Sequence, residues 1–164
     1  MAKLDTDGMD DFLAELNNLG EKSAGAAKRC LYDGAAVAAA AIRDAVEKLP
    51  LDDDPRKPYT GPLRVITERD RQDLADCIGI SQIKQDASAW TVSTSFTGYI
   101  SRTEKDYPDG VPAAMIARSI ESGSSVRAKN PFFRRAMNRA KAQITQAMQQ
   151  SLEESIAYTQ QQEG

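Results

Sequence analysis

Two stretches of helical periodicity, residues 21–49 and 131–159, constrain this chain more than any other feature. In the first, Ala27, Leu31, Ala38, Ile42, Ala45 and Leu49 recur at steps that share one helical face. In the second, Phe133, Met137, Ala140, Ile144, Met148, Leu152 and Ile156 follow one another in steps of three and four. Pro50 ends the first pattern and Pro131 opens the second. At 1.5 Å per residue each predicts a helix roughly 40 Å long, more than a small domain needs. The first is also rich in alanine (Ala24, Ala26, Ala27, Ala35, Ala36, Ala38 to Ala41), so other backbones can approach it closely.

Shorter signals fill the rest. Residues 9–19 carry Phe12, Leu13, Leu16 and Leu19 on one face, with Asp7, Asp10 and Asp11 crowding the first turn, where the helix dipole favours negative charge. Residues 50–76 read as a loop insert, with Pro50, Pro55, Pro58 and an aspartate triplet, closing in a charged run, Glu68–Asp76, that suits a helical turn. Residues 77–97 predict a β-hairpin. Its first strand, 77–84, carries Ile78, Ile80 and Ile83, and its second, 89–97, has Trp90, Val92 and Phe96 on alternate positions. A lone hairpin is marginal, so a third strand and packing on the helices are expected. Residues 98–111 read as an exposed loop. Residues 112–123 read as a short helix with Pro112 in its first turn, Met115, Ile116 and Ile120 on its apolar face, and Gly123 past its end. The tail after Thr159 should fray. The expected fold is a single α+β domain over residues 1–164: long N-terminal and C-terminal helices packed on a small antiparallel β-sheet, a short middle helix, and an acidic arm at 1–20.

Composition removes several kinds of chemistry. The 164 residues include no histidine, which excludes Ser-His-Asp and Cys-His nucleophilic sites and His-ligated zinc. Two cysteines, Cys30 and Cys77, are too few for a disulfide framework or a four-thiolate metal site and read as small buried hydrophobes. The triplet Asp52-Asp53-Asp54 lacks the alternating ligand pattern of a calcium loop. Tyr59-Thr60-Gly61 and Ile120–Ser125 have no paired base and read as turns. The expectation is a protein that is not an enzyme and uses no cofactor or metal. No stretch is apolar enough to cross a membrane, and the acidic start Met1–Asp5 lacks a secretory core, so a reducing cytoplasm is the expected setting.

Charge is distributed unevenly although the net value is only −3. Asp5, Asp7, Asp10, Asp11, Glu15 and Glu21 face a single basic residue, Lys3, within 1–21. Residues 126–141 hold Arg127, Lys129, Arg134, Arg135, Arg139 and Lys141 and no acid. One acidic and one basic end suit head-to-tail contacts that close into a ring. The candidate assembly interface is therefore Asp10 and Asp11 with Arg127, Lys129, Arg134 and Arg135, and with Phe132 and Phe133 as apolar anchors. The alternative is a DNA-binding accessory protein that sets the basic segment 127–141 on phosphates.

Four short motifs, in order, carry a resemblance to a known family. Gly8-Met9-Asp10-Asp11-Phe12 leads through Leu16 and Leu19-Gly20 into the alanine-rich helix. Asp73-Leu74-Ala75-Asp76-Cys77-Ile78-Gly79-Ile80 leads into the first strand. Ile116–Ser125 is a helix ending in glutamate, a small residue and glycine, followed by serine. Asn130-Pro131-Phe132-Phe133-Arg134-Arg135-Ala136 precedes the last helix. Over about residues 8–157 the chain resembles the small neck and tail-completion proteins of long-tailed bacteriophages, the minor capsid or tail-component family of the gene-product-ten type. Cys77 stands where that family has serine and Arg135 where it has proline, and the insert at 50–66 is longer than in its shortest members. The resemblance implies a virion structural protein, made in the host cytoplasm and forming a homo-oligomeric ring at the head–tail neck. Its partners would be copies of itself and neighbouring neck or tail proteins (a head-closure ring, a tail terminator or the tail tube). Genomic DNA would cross its lumen without sequence-specific binding.

Overall fold

The computed structural model describes residues 21–51, 66–86, 89–124 and 127–162. The two long patterns become α1, Glu21–Glu47, and the C-terminal helix α4, Phe132–Gln162. Their 27 and 31 residues span about 40 and 46 Å. They run antiparallel. Around the middle of α1 the Ser151 hydroxyl donates to the Asp33 carboxylate. At Gly34 the helices come so close that an added Cβ would lie 2.6 Å from Met148 Cγ. Ala27, Cys30, Ala38, Ala140, Ile144, Met148 and Leu152 form the core between them.

Most of the remaining elements gather toward the C-terminal end of α1, while Trp90 reaches back along the helix pair to within 5.5 Å of Lys28. α2, Glu68–Asp76, opens with a capping box: the Asp70 N–H donates to the Thr67 hydroxyl, and the Asp70 carboxylate accepts the Thr67 N–H at 3.1 Å. The expected loop over 50–76 thus ends in a full helix, and its Leu74 is completely buried. Leu51 and Ile66 form a parallel bridge that holds together the two ends of the segment between them. The aspartate triplet lies outside the described residues.

The expected hairpin forms in two pieces. β1, Ile78–Ile80, pairs antiparallel with β4, Thr94–Phe96, while β2, Lys84–Asp86, pairs with β3, Ala89–Thr91. The register slips by one residue between the pieces, so that three residues, 81–83, stand opposite two, 92 and 93. Ser81 closes the irregularity: its N–H donates to Ser93 O at 2.8 Å and its hydroxyl accepts the Ser93 N–H at 2.9 Å. The extra residue has a packing consequence. Ile78 and Ile80 share parity, whereas Ile83 does not, and the slip keeps the half-buried Ile83 level with the half-buried Val92.

No third strand joins this hairpin among the described residues. β5, Tyr99–Ile100, pairs instead with β6, Val111–Pro112. The expected exposed loop over 98–111 therefore has core at both ends, because Ile100 and Val111 are fully buried. α3, Ala113–Ser122, follows with Pro112 at its N-cap. Ile116 and Ile120 point inward as expected, but Met115 is 40% exposed and Ala113 and Ala117 complete the buried face. This end of the molecule, the head, encloses one core of Ile42, Val46, Leu74, Ile100, Val111, Ile116 and Phe132, among others. Each full burial of such a side chain contributes about 1.5–3 kcal/mol. Asp70, itself buried, also pairs with Arg102 from the strand side. The architecture is α+β, with the long helices extending beyond a small β region.

Candidate assembly surface

The junction of α3 and α4 collects most of the candidate site residues. α3 ends at Gly123, whose φ of 79° only glycine adopts without strain. A Cβ there would also press on the Lys129 backbone at 3.1 Å. The Asn130 N–H then returns to Ile120 O at 2.8 Å, which ties the far end of the loop to the last turn of α3. Pro131 supplies the carbonyl that accepts the Arg135 N–H and starts the ladder of α4.

Glu121 joins the two helices. Its carboxylate accepts the Phe133 N–H at 2.9 Å and the Arg134 N–H at 3.3 Å, so a side chain of α3 caps the N-terminus of α4. Two charge-assisted bonds at the positive end of a helix dipole contribute about 1–2 kcal/mol. Phe132 and Phe133 lie beside these N–H groups. Phe132 meets Phe96 edge-on with centroids 6.1 Å apart, and Phe133 meets it at 6.4 Å.

The candidate residues thus divide by role. Phe132 is buried and Phe133 half-buried, so both fasten α4 to the β region rather than presenting surface. Arg127 is also buried, at 7% exposure, with its backbone bridged to Ser124; it is not part of the exposed basic face the sequence suggests. Lys129, Arg134 and Arg135 are exposed. Arg135 donates to Asn130 Oδ1 at 2.6 Å, which holds its guanidinium over the start of α4. Arg139 and Lys141 follow, exposed, further along the helix. Asp10 and Asp11 lie outside the described residues.

Beside this junction the two long helices leave a groove of about 650 Å³. Val37, Ala41 and Ala45 of α1 and Phe132, Ala136 and Ala140 of α4 give it an apolar floor. Lys48, Asp44, Arg135 and Arg139 stand on its rim. Asp44 is engaged by Lys48 at 2.6 Å, so the free charge of the rim is positive. The other side of α1 is covered: Thr94 Oγ1 donates to Ala35 O, Trp90 packs on the helix pair and the Lys28 ammonium lies 5.5 Å from the Trp90 ring.

Neither thiol is activated. Burial, reinforced by Asp33, pushes Cys30 up to about 11, and burial with Asp73 and Asp76 raises Cys77 as well. Among the described residues no group of three metal-ligating side chains comes together, and no helix is long and apolar enough to cross a membrane. The capping role of Glu121 is what sequence reasoning missed: the sequence offers this glutamate as part of the third motif but does not show that it binds the N–H groups of Phe133 and Arg134. Comparison with protein-family models, curated proteins and solved structures finds no match.

Proposed function

We propose that this chain is a structural assembly protein of a tailed phage or prophage, working as a homo-oligomeric ring at the head–tail neck or the top of the tail. The observation that carries the reading is the Glu121 cap. Glu121 of the third motif and Phe133 of the fourth are 12 residues apart in sequence, and the one carboxylate binds the two motifs into a single unit. The other motif residues also serve the junction. Gly123 makes the turn, Pro131 starts the helix, and Phe132 and Phe133 anchor it. The groove left open between two helices much longer than the β region gives neighbouring subunits a place to pack.

The mechanism is assembly rather than catalysis: copies meet through exposed helix faces, and the ring stacks on its partner to complete a channel. The test is the absolute mass of the purified chain by light scattering at low and high salt, with electron micrographs of the large species. Closed rings that survive salt support the reading. A monomer that binds duplex DNA tightly at physiological salt, through the exposed Arg134, Arg139 and Lys141, replaces it with the DNA-binding alternative.

A further inference from the structure

We propose that the groove between α1 and α4 receives residues 9–19 of a second copy of this chain, with the acidic start of that segment against Arg135 and Arg139. This docking rests on the assembly reading above and names the two surfaces that meet.

Three observations converge on this occupant. The first is shape and polarity. The groove has a floor of alanine, valine and phenylalanine between two helices, which suits one amphipathic helix laid between them. Residues 9–19 carry an apolar stripe of Phe12, Leu13, Leu16 and Leu19 on a pattern of that length.

The second is charge. With Lys48 engaged by Asp44, the rim presents Arg135 and Arg139, and Arg139 makes no ion pair or side-chain hydrogen bond among the described residues. The segment brings Asp10, Asp11 and Glu15, with Asp7 just before it, and no basic residue. Complementary charge of this kind sets register and orientation as well as attraction.

The third is reach, and it decides between the chain's own segment and a neighbour's. The segment joins α1 at Glu21, the end of the helix opposite the groove. The nearest groove residue on α1, Val37, lies about 24 Å along the helix from Glu21, and Asp44 about 35 Å. In helical form Phe12 extends only about 14 Å from Glu21. A helix whose apolar face is to be buried cannot cover that distance within its own chain, so the occupant comes from another copy. The contact joins two different surfaces, one on each copy, and repeats from copy to copy as a ring requires.

The test uses the full chain with Cys30→Ala and Cys77→Ser, carrying either Leu16→Cys or Ala40→Cys, the latter at an exposed position lining the groove. The two proteins are mixed and mildly oxidised, and a disulfide-linked dimer holding one chain of each kind is expected. In a chain carrying both substitutions a ladder of cross-linked species is expected, whereas a purely internal disulfide overturns the proposal. Charge reversal gives a second readout. Asp10→Lys with Asp11→Lys, or Arg135→Glu with Arg139→Glu, should each raise the concentration needed for assembly about tenfold, and an equimolar mixture of the two should restore it. Oligomers by light scattering without the cross-link overturn this docking and leave the assembly reading standing. Absence of both the oligomers and the cross-link overturns both.

Discussion

The head and the stalk of this molecule are built on different rules. In the head, α2, α3, strands β1, β4, β5 and β6 and the ends of both long helices enclose Ile42, Val46, Leu74, Ile100, Val111, Ile116 and Phe132, so large branched and aromatic side chains are surrounded on every side. In the stalk, two helices share a thin seam of Ala27, Cys30, Ala38, Ala140, Ile144, Met148 and Leu152, with Trp90 covering one flank. Small side chains bring helix axes close but bury little area per residue. The head is a complete core. The stalk has a thinner core and one open groove, the surface on which the proposed neighbour would pack.

The contrast is most easily broken in the head. Leu74→Ala should cost about 2–5 kcal/mol, because the site is closed on all sides and cannot collapse around the cavity. Denaturant unfolding should show the whole chain losing stability. A small loss confined to local opening would mean that the head is not the self-sufficient unit described.

In the stalk the sensitive point is the closest approach. Gly34→Leu should cost about 1–3 kcal/mol by driving Met148 out of the seam, although leucine is the better helix former. Thermal unfolding checks the sign; a stabilised protein would show that the helices separate freely at this crossing.

The link between the two regions is Glu121. Glu121→Ala should cost about 1–2 kcal/mol by removing the acceptor from two N–H groups of α4, and hydrogen exchange should localise the effect to the first turn of that helix. Uniform destabilisation without faster exchange at Phe133 and Arg134 would refute the cap.

The smallest effect concerns Cys30. Burial raises its pKa from the usual 9.0 to about 11, so the folded state favours the neutral thiol. That contribution is intact below about pH 9 and is lost as the pH rises through about 11. Stability of the wild-type chain should therefore fall over that window more steeply than that of Cys30→Ala. Equal slopes would show that the stalk seam is open to water at this position.

How much of this was legible in the sequence depended on the range of the interaction. The long helices were, because a helical period repeated over roughly seven or eight turns and bounded by Pro50 and Pro131 leaves little choice. The parity of Trp90, Val92 and Phe96 likewise marked the inward face of the second strand. The one-residue slip was not legible, because Ile83 breaks the parity of Ile78 and Ile80 and only the pairing register explains why. The β5–β6 pair was hidden because two buried residues, Ile100 and Val111, bracket a strongly polar loop. α2 was obscured in a similar way: Leu74 is its one large buried hydrophobe in a run of charges. The basic run 126–141 misled for the opposite reason. A buried Arg127 and an exposed Arg139 look alike in sequence, and tertiary packing alone separates them.

The central claim, that the head is complete while the stalk awaits a neighbour, is tested most directly by hydrogen exchange on the dilute and the assembled protein. New protection is expected over residues 37–48 and 130–143 on assembly, with the amides around Leu74, Ile100 and Val111 already slow and unchanged. Protection gained in the head, with the helix groove unaffected, would contradict it.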